Sequence, residues 1–179
     1  MEYAPNEIDP PALARLTVEE FIRGGRVIQP PVEPAGVLAS YAPVFVTLRI
    51  DGSELRGCIG TMSPTRRNVA EEIISNAIRA ATHDPRFSPV VADELPRLSY
   101  GVDVLHPSEP ARGIEDLDPA DYGVSVETLD GHLRGVLLPG IEGIDTPEEQ
   151  WALVHRKAGI RVGTPVKVER FRVSRFGKD

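Results

Sequence analysis

Residues 44–61 read VFVTLRIDGSELRGCIGT, and this stretch constrains the fold more than any other in the chain. Val44, Val46, Leu48 and Ile50 alternate with Phe45, Thr47 and Arg49, the period of a strand with one buried face. Asp51-Gly52 follows, a dipeptide suited to the positive φ angles of a tight hairpin turn. The returning strand is then LRGCIGT, residues 55–61. Such a hairpin requires an antiparallel sheet with an apolar layer over one side, because two strands alone are marginal in water. Strict alternation would put Leu55, Gly57, Ile59 and Thr61 on one face and Arg56, Cys58 and Gly60 on the other. The residues themselves do not decide which face meets the core.

The other elements fall around this hairpin. Asp9 before Pro10 and Pro11 signals a helix start, and Ala14, Val18, Phe21 and Ile22 recur at helical spacing until Gly24-Gly25. The proline-broken stretch from Arg26 to Pro43 reads as a surface connection with room for one short helical turn. Ser63-Pro64 is read as the start of a long helix with Val69, Ile73, Ala77 and Ala80 in one stripe, ending at HDPRF, residues 83–87. LSYGVDVLHP, residues 98–107, is a strand, and YGVSVETLDGHLRGVLLP, residues 122–139, is a second hairpin about Asp130-Gly131. Thr146-Pro147-Glu148-Glu149 is a capping box opening a helix that Gly159 closes. VKVERFRVSRF, residues 166–176, is read as one final strand. Tight antiparallel turns without regular βαβ alternation make the class α+β.

Composition narrows the function. The 179 residues suit one compact unit, and 20 basic against 27 acidic side chains leave a formal charge of −7, which disfavours non-specific nucleic-acid binding. Lys167, Arg170, Arg172 and Arg175 near Phe171 and Phe176 keep a nucleic-acid role in view, although alternation splits them between two faces. The acidic beginning, MEYAPNEIDPPALARL, is unlike a secretory signal, and the expected location is cytoplasmic, away from membranes. The single cysteine excludes an internal disulfide, and His83, His106, His132 and His155 form no metal-binding spacing, so neither metal nor cofactor is expected.

The candidate site is therefore built on Cys58 and Arg56. Residues two apart on a strand lie ~6.5 Å from each other, where a guanidinium is worth roughly 0.6 to 2.5 kcal/mol to a thiolate. A small buried cysteine and a solvated arginine are the plainer interpretation. Asp84 and Arg86 fall on a loop, where binding groups concentrate, although Asp-Pro is also an ordinary helix breaker. Arg134-Gly135 repeats the Arg-Gly pattern and reads as a bulge, while Lys157 reads as a charge at a helix C-terminus.

Taken together and in order, FVTLRIDGSELRGCIGT, NAIRAATHDPRFSPV, RGVLLPG and KAGI resemble the AMMECR domain family, most strongly over residues 44–176. The resemblance implies a single domain of two unequal lobes, with an antiparallel sheet flanked by helices and the signature strand lining a cleft. It implies no established reaction. It carries over Cys58 as a catalytic candidate, and Arg56, Gly57, Gly60, Thr61, Asp84, Arg86 and Lys157 as ligand-binding candidates. It also implies a shared pathway with Memo-like and radical SAM proteins. Two places depart from the family: Leu138-Pro139-Gly140-Ile141 stands where relatives carry LPQV, and IRVGTPVKVER is shorter than their tryptophan-bearing connection. The expected function is an enzyme or enzyme component that binds a small anionic or nucleotide-like ligand. The alternative is a non-catalytic module that positions a peptide, RNA or protein for a partner enzyme.

Overall fold

The structure, a computed structural model, describes residues 8–177. Most of the acidic start, residues 1–7, and residues 178–179 lie outside the described residues. The chain divides into two compact units, Met1–Leu105 with Ser174–Asp179, and His106–Val173. Helices and two antiparallel sheets make the fold α+β.

In the first unit, α1 (Pro10–Gly24) opens where the Asp9 carboxylate accepts the Ala12 N–H at 2.7 Å, and it ends at Gly25 in the left-handed region. It buries Leu13, Ala14, Thr17 and Val18. The hairpin strands are β1 (Val44–Ile50) and β2 (Glu54–Gly60), with Asp51 and Gly52 at φ 53° and 90°. Next come α2 (Val69–Thr82) and β3 (Leu98–Leu105), and the sheet order is β2-β1-β3 followed by a strand from the end of the chain. Val44, Val46 and Leu48 pair with Val104, Val102 and Tyr100, and this face forms one core with the apolar stripes of α1 and α2. The first turn of the helix read from Ser63 is not helical: Asn68 caps α2 instead, accepting the Glu71 N–H at 3.0 Å. The preceding residues are tied to the buried Glu72 carboxylate, which accepts the backbone N–H of Thr65 and, at 2.8 Å, that of Arg66.

The second unit contains β4 (Glu109–Pro110), β5 (Gly123–Thr128), β6 (Arg134–Leu137), α3 (Pro147–Ala158) and β7 (Val166–Phe171), in sheet order β4-β7-β5-β6. Val124, Val126, Leu137, Val154, Ile160 and Val168 fill its core. The α3 capping box is complete: Thr146 Oγ1 accepts the Glu149 N–H at 3.3 Å, and Glu149 accepts the Thr146 N–H at 3.0 Å. The stretch read as one final strand is two. After Phe171 the chain leaves the second sheet, and β8 (Val173–Phe176) lies beside β3 in the first. Alternation alone cannot see this break, because Arg172 interrupts the ladder without a glycine or proline to mark it.

Two glycines set the spacing between layers. A Cβ on Gly57 would strike the carbonyl oxygen of Ala80 in α2. A Cβ on Gly135 would lie 2.6 Å from the Val154 carbonyl oxygen and 2.7 Å from Ala158 Cβ in α3. Gly135 pairs regularly with Val126, so Arg134-Gly135 is a close helix approach and not the expected bulge. The bulge sits in the other Arg-Gly pair. Leu48 pairs with Gly57 but Arg49 with Leu55, leaving Arg56 as the extra residue. Leu55 thereby moves to the face of Cys58, contrary to strict alternation. Gly57→Ala is expected to cost about 1–3 kcal/mol, because the obstacle is helix backbone. Gly60→Ala should cost less, since it meets the Phe45 ring, which can rotate away. Urea unfolding ranks the two, and equal midpoints would remove the close-approach explanation.

Candidate functional site

The register places Gly57 and Ile59 opposite Leu48 and Val46, on the face that meets the helices. Cys58 and Gly60, opposite Thr47 and Phe45, take the face away from α1 and α2. Cys58 is half-buried, and its sulfur accepts the Thr47 hydroxyl at 3.2 Å. Across β1 from Cys58 lies Gly101, where an added Cβ would meet nothing nearer than 4.0 Å. Small side chains thus run across three strands beside the Phe45 ring.

Because β2 is an edge strand, its outward N–H and C=O groups need partners from elsewhere. At Cys58 they come from the loop after α2. The Asp84 carboxylate accepts the Cys58 N–H at 2.8 Å, and Arg86 Nη2 reaches the Cys58 carbonyl at 3.5 Å. Arg86 also gives Asp84 its backbone N–H at 3.1 Å, Nε at 3.0 Å and Nη2 at 2.7 Å. The Arg86 guanidinium, helped by these backbone donors, holds the Asp84 carboxyl well below the usual range despite its burial. Asp84 is therefore ionised in ordinary buffers and a poor proton acceptor. Asp84 in turn raises Arg86, and the neighbouring Cys58 adds to the effect. The Arg86 side chain, fixed from below, remains 52% exposed.

Arg56 is differently occupied. Its Nε and Nη2 bind Glu94 at 2.7 and 2.9 Å, and its side chain is only 13% exposed. This guanidinium keeps Glu94 below the usual carboxylate range, and the same carboxylate accepts the Val91 N–H at 2.9 Å. Arg56 and Arg86 both approach the Phe87 ring, 5.9 and 5.4 Å from its centroid.

The structure thus brings Cys58, Asp84 and Arg86 together, with Arg56 joined through Phe87. Thr61 instead donates to Glu72 at 3.3 Å, Gly57 lies under α2, and Gly60 lies under Phe45. Lys157 belongs to the second unit, where its Nζ donates to the Val136 carbonyl at 3.0 Å. Glu94 and Thr47 carry no signal of this role in the sequence, and Phe87, which reads there as a core plug at the helix end, is instead half-buried beneath the two arginines. Thr47 faces Cys58 only because of the bulge, which shifts the pairing by one residue. Among the described residues no three His, Cys, Asp or Glu side chains cluster as metal ligands, and no helix is long and apolar enough to cross a membrane.

The two Asp84 oxygens accept four hydrogen bonds, three from Arg86 and one from Cys58; Asp84→Asn removes the charge and turns one of those oxygens into a donor, at an expected cost of about 2 kcal/mol at neutral pH. The folded chain depresses Asp84 relative to the unfolded chain. Its contribution is complete above about pH 4 and is lost as pH falls below that value, so wild type and variant should converge in acid. Denaturant titrations across that interval measure the gap, and a gap that widened in acid would contradict this assignment.

Residues 11–177 match the AMMECR1 family model. A Thermotoga maritima protein is 48% identical over 161 residues, covering 89% of this chain and 91% of its own. A Clostridium acetobutylicum protein is 42% identical over 165 residues, covering 91% of this chain but only 34% of its own length. The crystal structure of the uncharacterized protein PH0010 from Pyrococcus horikoshii superposes with a TM-score of 0.87 and 32% identity, covering 95% of this chain and 90% of that one. By sequence across nearly its whole length, and by fold, this chain belongs to the AMMECR1 family.

Proposed function

We propose that this chain is an enzyme component that binds a small anionic, nucleotide-like ligand on the sheet face around Cys58, with Arg86 as the group that holds the anion. The observation that carries this reading is the Arg86 guanidinium, immobilised by a buried carboxylate yet half open to solvent beside a half-buried thiol. A guanidinium held in place in advance loses little freedom on meeting an anion, which favours binding. Arg56, spent on Glu94, serves the site by positioning the loop that carries Arg86 through Phe87. The strip over Thr47, Cys58 and Gly101 carries only small side chains, next to the aromatic Phe45, the kind of surface a flat ring would lie on. Cys58 is the candidate nucleophile or proton-transfer group.

Memo-like and radical SAM enzymes are the proposed partners; the Clostridium relative, of which this chain spans only a third, carries further sequence beside this domain. A second reading, a non-catalytic module that positions a peptide, RNA or protein, is favoured by one observation. Asp84, the carboxylate nearest in the network, is held ionised and is fully engaged, so it supplies no base to the thiol.

Native mass spectrometry of the freshly purified chain, followed by titration with adenosine monophosphate, tests the proposal. The wild type should retain a small ligand or take up the nucleotide. Arg86→Ala should lose at least about tenfold in affinity, consistent with removal of a charge-assisted contact, while Arg134→Ala should not. A bare wild type that takes up no nucleotide, or an Arg86→Ala variant that binds unchanged, would overturn it. Iodoacetamide separates the two roles: labelling of Cys58 only after unfolding would remove catalysis and leave the positioning module.

A further inference from the structure

The second unit carries a hollow of its own, of about 130 Å³, bounded by His106, Glu109, Tyr122, Arg170, Phe171 and Arg172. Tyr122 is its fixed wall. The Tyr122 N–H donates to the Asp118 carbonyl at 2.8 Å, and its own carbonyl accepts Nε2 of the buried Gln150 at 2.8 Å. Arg170 and Arg172 both lie over its ring, their guanidinium carbons 4.5 and 4.6 Å from the centroid.

The two arginines are not equivalent. Arg170 is consumed by the fold: Nε binds Glu109 at 2.7 Å and Nη1 the Asp116 carbonyl at 2.7 Å. Its charge and that of Glu109 cancel. Arg172 gives Nη2 to the Tyr122 hydroxyl at 3.0 Å and stands 3.8 Å from Asp121, while its side chain stays 59% exposed. Its contacts with Tyr122 and Asp121 fall on Nη2, and the rest of this exposed guanidinium is held over an aromatic ring with an open edge. The break between β7 and β8 produces this arrangement, because Arg172 is the residue between the strands.

Size and chemistry select the occupant. At ~30 Å³ per water the hollow holds about four waters, or one phosphate-sized group, and it falls below the roughly 300 Å³ at which whole drug-sized ligands are accommodated. A guanidinium edge matches the paired oxygens of phosphate or carboxylate. We propose that this hollow is an oxyanion subsite, taking the terminal phosphate or carboxylate of a small molecule, with Arg172 as its principal donor and Tyr122 as the support that orients it.

The test is two-dimensional NMR of the arginine Nε–Hε resonances in the full chain, titrated separately with inorganic phosphate and acetate against sodium chloride at matched ionic strength. The Arg172 resonance should shift saturably with phosphate or acetate and not with chloride, and the tighter of the two identifies the head group. Arg172→Gln should weaken binding at least about tenfold. Tyr122→Phe, which keeps the ring and removes the hydroxyl, should weaken it less, and Arg23→Gln on α1 should leave it unchanged. The proposal is overturned if the wild type shows no saturable response to either anion, if chloride acts equally, or if Arg172→Gln binds as tightly as the wild type. Should Arg172→Gln fail to fold, the wild-type titration and Tyr122→Phe decide between the same outcomes.

Discussion

The close seating of α2 on β2 at Gly57 is the contact from which the arrangement at Cys58 follows. With no side chain at Gly57, the Ala80 carbonyl rests against the strand backbone, and α2 ends two residues later. Asp84, the second residue beyond the helix, then falls within hydrogen-bond reach of the Cys58 N–H, and Arg86 follows it to the Cys58 carbonyl. A carboxylate and a guanidinium together stand in for the neighbouring strand that an edge lacks. Lift the helix and the whole chain of contacts loses its origin.

The second unit uses the same construction with different side chains. Gly135 follows an arginine, lies in an edge strand and receives a helix at close range, just as Gly57 does. The carbonyl of the next residue, Val136, is met by a cation from the helix C-terminus, Lys157, as Cys58 is met by Arg86. The difference lies at the arginine. Arg134 stays in register and makes a loose 4.0 Å pair with Glu127, whereas Arg56 is bulged out onto Glu94. The thiol occurs only in the first unit, which concentrates the chemical interest there.

What could be seen in the sequence followed short-range rules. The Asp51-Gly52 turn, the Asp9 and Thr146 caps and the alternation of β1 all depend on neighbours a few residues away, and each stands where expected. The class α+β follows from those same features, and residues 83–86 sit at the helix end as read. What escaped depends on partners beyond the reach of cap and turn rules. Glu72 organises the loop before α2 from six or seven residues ahead, Glu94 captures Arg56 across 38 positions, and β8 leaves one sheet for another without a breaker residue. The bulge is the sharpest case: the composition of LRGCIGT allows it, but only the fit of Gly57 beneath Ala80 requires the register that places Cys58 opposite Thr47.

The placement of β8 also bears on how the polypeptide is made. A ribosome delivers all of residues 106–172 before it delivers Val173, yet the fourth strand of the first sheet begins only at that residue. During synthesis β3 is therefore left with an unpaired flank, and the later sheet has every strand it needs first. The first sheet thus closes only after the strands of the second have emerged, and a nascent chain stalled before Val173 would expose a bare β3 edge to its neighbours.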